Sequence, residues 1–232
     1  MCLCDVFVVM DDVQYLSQDW NNRNRIKGPN GAFWLSLPID RKRSSSGQIK
    51  DIWVQSQGWG TRKHWQAQHW ESIRRSYTRA PYWNEYSPFL EEFYTGREHL
   101  LLAEINLTLL KFFMKSLGIT PEIIVASEFG FEGKKSDLIL DHCVKLGANA
   151  CVFGSQGRNY ANIGDFQARG IGVYFDEYNH PTYQQLFREF VSNLSVLDLL
   201  FNCGPNSFDV LMSGNIDRSG LEELITDAAQ GS

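Results

Sequence analysis

Ala150-Cys151-Val152-Phe153-Gly154-Ser155-Gln156-Gly157-Arg158-Asn159-Tyr160 is an apolar run that turns polar at a glycine within one step. A short apolar run without alternation predicts a strand covered on both faces, as in parallel sheets. Working outward, Ser136–Leu146 has helical spacing and is closed by Gly147, and Glu122–Ala126 is a second apolar strand. On the other side a short helix near Ile163–Arg169 leads to a strand over Ile171–Phe175. At the amino end Val6-Phe7-Val8-Val9-Met10 is β-branched and apolar, and predicts a further buried strand. Strands alternating with helices predict an α/β fold with a mainly parallel sheet flanked by helices.

In such sheets ligands bind at the carboxyl ends of strands, and three polar segments stand there. The first is Asp11-Asp12-Val13-Gln14-Tyr15 running on to Asn22-Arg23-Asn24-Arg25-Ile26-Lys27, where carboxylates, amides and three cations follow an apolar strand. The second is the Gly154–Tyr160 segment. Its glycines permit close backbone approach, the amides of Ser155 and Gln156 suit an anion, and Arg158 supplies a bidentate fork. It is neither a phosphate-binding Walker loop nor a full GxGxxG, and Ser155 is not in a GxSxG elbow. The third is Asp176–Tyr183, where His180 suits acid–base chemistry. Each has a plainer reading: a solvated loop, an ordinary glycine turn, and a histidine tying down a turn before Pro181.

Between the first and later strands the chain is expected to form an aromatic-rich helical insertion, about 60–118. Thr61–Arg79 has Trp65, His69, Ile73 and Tyr77 at i, i+4 spacing. A second helical stretch lies near Phe89–Tyr94. Thr95-Gly96-Arg97-Glu98 has the form of a capping box for a helix ending at Gly118. His99 is expected in packing or at the surface. Phe33–Ile39 and Ile49–Val54 predict strands, with the basic loop Arg41–Gly47 between them. After Tyr183 helices are expected over Tyr183–Phe190, Ser195–Phe201 and Ser207–Met212. The expected organisation is one domain over 1–216 with a flexible tail over 217–232.

The formal net charge of −5 hides a division: residues 13–79 carry 12 Lys/Arg against 4 Asp/Glu, and the remainder carries 10 against 23. An acidic whole argues against non-specific nucleic-acid binding, while the basic third suits a compact anion. Alternatively the two regions neutralise each other. No apolar run approaches the roughly 18 residues of a membrane span, and the features of a signal peptide are missing. Cys2, Cys4, Cys143, Cys151 and Cys203 include no CxxC pair and fit free thiols of a cytoplasmic protein. Cys2 and Cys4 alone are too few for a metal site. No motif names a cofactor.

Several clusters resemble the WbqC-like protein family. They are Asp5-Val6-Phe7-Val8, Asp11–Tyr15, Asn22–Lys27, Lys63-His64-Trp65 and Gly154–Gly157, with His180-Pro181-Thr182-Tyr183-Gln184 and Leu194–Gly204. The likeness runs from about residue 4 to about 212. It implies a role in bacterial surface polysaccharide (O-antigen) biosynthesis, with transfer of glycine or another acyl unit to a sugar as the suggested activity. The family's usual opening, a strand leading to a His-Gln-Pro motif, is not matched, so this chain is expected to enter at the family's second strand.

The resulting expectation is a transferase acting on an anionic small molecule, a nucleotide sugar or an acyl donor. Arg23, Arg25 and Arg158 would grip the anion, with Lys27 behind them, Asp11 or Asp12 orienting the acceptor or holding a metal, and His180 as base. Gln14, Tyr15, Asn22, Asn24, His64, Gly154, Ser155, Gln156 and Tyr183 complete the expected site. The alternatives are a nucleotidyltransferase-like enzyme, or a non-catalytic sugar-binding or assembly factor or truncated paralogue.

Overall fold

The computed structural model describes residues 1–44, 46–56 and 64–230, with side chains through residue 225. In chain order the elements begin with β1 (Val6–Val9), β2 (Arg23–Gly28), β3 (Gly31–Ser36), α1 (Trp65–Tyr77), α2 (Trp83–Thr95) and α3 (Leu102–Leu117). They continue with β4 (Glu122–Val125), α4 (Ser136–Lys145), β5 (Ala150–Gly154), α5 (Ile163–Gln167) and β6 (Gly172–Asp176), then α6 (Val196–Cys203), α7 (Ser207–Met212) and α8 (Arg218–Gln230). The fold is α/β with short parallel strand pairs and an aromatic-rich helical region, as the sequence predicts. The chain divides into two compact units. One comprises Met1–Met10, Ile119–Asn179 and Met212–Ser232, the other Asp11–Gly118 and His180–Leu211.

In the first unit β1 pairs in parallel with β4, Val6 opposite Glu122 and Val9 opposite Val125. β5 pairs in parallel with β6, Ala150 opposite Gly172 and Gly154 opposite Asp176. Cys143, Phe153, Phe166 and Ile171 form its core, so apolar residues of α4, β5, α5 and the approach to β6 are buried together. Gly147 closes the α4 turn at φ 65°, a conformation that costs glycine nothing. The tail expected from 217 is instead helical. α8 packs on β6, with Leu221 buried and Ile225 over Gly172, because Leu221 and Ile225 recur at i, i+4 and find an apolar face.

The second unit is built around helices and one antiparallel ribbon, β2–β3, with Arg23 opposite Ser36 and Gly28 opposite Gly31. α1 buries Trp65, His69, Trp70, Ile73 and Tyr77. Residues 61–63 of the expected helix lie outside those described. α6 is internal, with Leu197 through Phe201 all buried, and Ser195 caps it by accepting the Leu197 amide at 3.4 Å. Aromatic rings join these helices: Trp70 stacks on Trp83 at 5.7 Å, and Phe201 lies 5.1 Å from Trp83 and 5.0 Å from Tyr77.

Four sequence expectations are corrected here. Asp11–Lys27 is not all loop, since Arg23–Lys27 belongs to β2, and Arg23, Arg25 and Lys27 share one face of that strand. Ile49–Val54 is a 3₁₀ turn over Ile49–Asp51, followed by single bridges from Trp53 to Leu101 and Val54 to Ile39. Thr95 ends α2 rather than capping α3, and its hydroxyl donates back to Glu91 O at 2.7 Å. The first amide of α3, at Leu102, is satisfied by Ile52 O at 2.9 Å, so no side-chain cap is needed. Tyr183–Phe190 is an irregular strap that bends over residues 186–189, with Phe187 at φ 66°, and not a helix. Gln185 pairs with the Val191 amide and carbonyl, both at 2.9 Å, and Lys27 takes the carbonyls of Phe187 and Glu189, so tertiary partners replace the helix ladder.

Candidate functional site

Site residues from Asp11–Lys27 surround a cleft of about 520 Å3 in the second unit, lined by Tyr15, Ser17, Asn22, Arg41 and Ser44 with Ile39, Gly47 and Ile52. The loop is pinned before it reaches the cleft. Gly47 O accepts both the Tyr15 amide at 2.8 Å and Gln14 Nε2 at 3.0 Å, while Asp11 O and Asp12 O accept Lys50 N at 2.7 Å and Gln48 Nε2 at 2.6 Å. Gly47 has φ 74°, which lets this turn close against Gln14.

Two acceptors in this region are buried without a hydrogen-bond partner: Asn22 Oδ1 and Asp12 Oδ1. Asn22 Nδ2 donates to Leu37 O at 2.9 Å, which fixes the amide so that its oxygen is the free end. A buried acceptor left unpaired costs about 1–3 kcal/mol, so such an atom marks a place where a donor belongs. Burial raises the Tyr15 phenol pKa, with Arg41 and Arg23 pulling it the other way. An acceptor, a phenol and the Arg41 cation around one cleft suit an anionic, hydroxyl-bearing ligand.

The remaining candidates of the second unit are engaged in packing and turn closure. Arg23 donates to Gln18 O at 2.6 Å and Asp19 O at 3.2 Å, and Arg25 to Ser192 O at 3.0 Å and Asn193 O at 3.1 Å. Asn24 accepts the Arg25 amide at 2.8 Å. Lys27 is 2% exposed, its ammonium held by Gln185 Oε1 at 3.0 Å, Phe187 O at 3.1 Å and Glu189 O. Desolvation lowers its pKa, and Asp198 and Glu189 oppose that. His180 Nδ1 lies 2.8 Å from Pro181 O, and Nε2 accepts the Asn193 amide at 3.1 Å. A neutral ring with the proton on Nδ1 satisfies both contacts and leaves no lone pair for a substrate proton. Tyr183 donates to Asp198 Oδ2 at 2.9 Å.

His64 stands apart from that cleft, at the start of α1. Its Nδ1 accepts the Gln66 amide at 3.3 Å, and Nε2 faces Glu98 Oε1 at 3.6 Å without a hydrogen-bond partner. With Arg74, Tyr94 and Arg97 it lines an open groove of about 690 Å3.

In the first unit Gly154, Ser155 and Gln156 are exposed and lead into a 3₁₀ turn over Ser155–Asn159. Gly157 is required by packing, because a Cβ there would lie 2.5 Å from Phe153 Cβ, whereas the same position on Gly154 meets nothing. Arg158 pairs with Glu177 at 2.8 Å and lies 4.7 Å over the Phe175 ring. Gln156 Oε1 accepts from Asn159 at 2.9 Å.

Arg41 and Ser44 line the cleft although they were not among the expected site residues, because a basic serine loop that could fold over a phosphate reads equally as a solvated one. Sequence reasoning missed Asp198, whose signal was a single carboxylate inside the apolar run Val196–Phe201. Among the described residues no group of three or more His, Cys, Asp or Glu side chains is placed to hold a metal, and no helix is long and apolar enough to cross a membrane.

The profile of the WbqC-like protein family matches residues 1–210. An uncharacterized protein of Mycobacterium tuberculosis (strain ATCC 25618 / H37Rv), Rv1507c, is 29% identical over 208 residues, covering 89% of this chain and 87% of the relative. No solved structure matches.

Proposed function

Because the chain belongs to the WbqC-like protein family, we propose that it is a transferase of bacterial surface polysaccharide biosynthesis that binds an anionic activated sugar in the Tyr15–Asn22–Arg41 cleft and receives on it an acyl or aminoacyl unit. The observation that carries the reading is Asn22 Oδ1, a buried acceptor with no partner on the wall of a cleft that also presents Arg41. A sugar hydroxyl is the donor such an atom lacks, and a diphosphate is the anion Arg41 suits.

A non-catalytic sugar-binding or assembly factor is the second reading. The full engagement of both His180 nitrogens favours it.

A thermal-shift screen of UDP- and dTDP-sugars, CoA esters and free nucleotides tests the binding. A nucleotide sugar at about 100 times its dissociation constant adds about 2.7 kcal/mol of stability. Arg41→Ala and Asn22→Ala should each weaken that binding about tenfold or more. No response to any nucleotide sugar, or full binding by both variants, overturns the assignment. Retained binding with no acyl transfer from any CoA ester or aminoacyl donor supports the second reading.

A further inference from the structure

Five of the face-forming residues of the β2–β3 ribbon and its leading turn are exposed or cationic in a way that neither the cleft nor the core uses. Trp20 is 50% exposed and Trp34 is 42% exposed, with ring centroids 4.9 Å apart and planes at 57°. Leu16, which is 56% exposed, opens the same turn, its carbonyl accepting the Asp19 amide at 3.1 Å. By contrast Trp65 and Trp70 are buried in the helical region.

Two arginines are built into this aromatic face. The Arg25 guanidinium lies 5.9 Å from the Trp20 ring and 5.8 Å from the Trp34 ring, and Arg23 lies 4.6 Å over Trp34. Both side chains donate to backbone carbonyls, and among the described residues neither forms an ion pair with a carboxylate. The nearby Asp19 carboxylate is turned onto its own segment, accepting the Trp20 amide at 2.7 Å. The face is thus apolar and positively charged, with its cations held in place before any partner arrives.

We propose that this Trp20–Trp34–Arg25 face is a membrane-surface contact whose partner is an anionic phospholipid bilayer. Tryptophan rings favour the headgroup level of a bilayer, and cations near an anionic leaflet add about a fivefold gain in binding each. The charge is complementary, since Arg23 and Arg25 lie against the two rings and, among the described residues, neither is paired with a carboxylate. A second copy docked face to face about a two-fold axis would bring like charges together. The contact is peripheral and reversible, made without a spanning helix, and it does not depend on what the cleft binds.

The test is co-sedimentation of the full chain with phosphatidylglycerol/phosphatidylethanolamine vesicles, against pure phosphatidylcholine vesicles. Binding is expected to the anionic vesicles, weakening several-fold when salt is raised to about 0.5 M. Trp20→Ala/Trp34→Ala should lower it more than about tenfold. Trp20→Phe/Trp34→Phe keeps ring packing and controls for folding. With vesicles carrying brominated lipid it should lose the fluorescence quenching that the wild-type chain shows. No binding to anionic vesicles, equal binding to phosphatidylcholine, or undiminished binding and quenching in the variants overturns the proposal. So does a wild-type dimer in sedimentation velocity that the alanine pair abolishes while vesicles fail to bind.

Discussion

The phenol of Tyr77 donates to Asp198 Oδ1 at 2.8 Å across 121 positions of sequence. Tyr183 completes the carboxylate at Oδ2, and the Tyr77 oxygen in turn accepts the Lys27 amide at 3.1 Å. Asp198 is wholly buried, and desolvation raises its pKa against the hydrogen bonds of Tyr77 and Tyr183. One carboxylate thereby ties α1, β2, the 180–195 strap and α6 into a single polar knot.

Asp198→Ala should therefore cost roughly 3–5 kcal/mol, because it leaves two buried hydroxyls unpaired and removes the counter-charge of a buried lysine. Asp198→Asn should cost less, since its amide oxygen still accepts one phenol. Denaturant unfolding of both variants checks this. A loss below about 1 kcal/mol for alanine would contradict the knot's role.

Lys27→Met should loosen the strap more than the rest of the unit. Three oxygens, on Gln185, Phe187 and Glu189, lose their shared donor. We expect a loss of roughly 2–4 kcal/mol, with faster amide exchange concentrated over residues 183–193. Uniform exchange across the unit would be the contrary result.

His69 sets part of the acid stability. Burial lowers its pKa from 6.5 to about 4, partly offset by its 3.2 Å contact with Ser36 O. Between those values the unfolded chain binds the proton and the folded chain does not, so stability rises with pH there. Stabilisation is complete above about 6.5, falls as pH drops below it, and levels off near 4. The depressed value corresponds to about 3 kcal/mol over that window. His69→Gln should flatten this limb in unfolding curves taken from pH 7 down to 4, and an unchanged slope would show that other groups govern it.

Gly204→Ala should cost roughly 2–4 kcal/mol. Gly204 has φ 54°, and a Cβ there would sit 2.3 Å from the Tyr82 ring. Gly147→Ala also meets a positive φ, 65°, but in open space, so it should cost less, about 1 kcal/mol. Melting temperatures of the two variants check this order, and an equal or larger loss for Gly147→Ala would contradict it.

Periodicity alone reached most elements. The alternation of strand and helix over residues 122–175 was legible because its apolar runs end at glycines, and the structure buries Phe153, Phe166 and Cys143 together within it. Thr95–Glu98 misled because a capping box is a local signal, and the first amide of α3, at Leu102, is bonded by Ile52 O instead. Tyr183–Phe190 misled for a similar reason: helical propensity is weak beside a buried ammonium that needs three oxygens.

The site shows the same division. Asp11–Lys27 announced itself as a polar segment on a strand end, and Tyr15 and Asn22 do line a cleft. That Asn22 Oδ1 is unpaired, that Arg41 faces the same space and that both His180 nitrogens are taken could not be read from residue order. Sequence by itself determined the α/β class, the family and the basic third, because these depend on periodicity, motif and charge count. Only the tertiary structure decided which polar groups are spent on one another and which are left for a ligand, because hydrogen-bond satisfaction is settled by neighbours brought together across more than a hundred positions, as Tyr77 and Asp198 are.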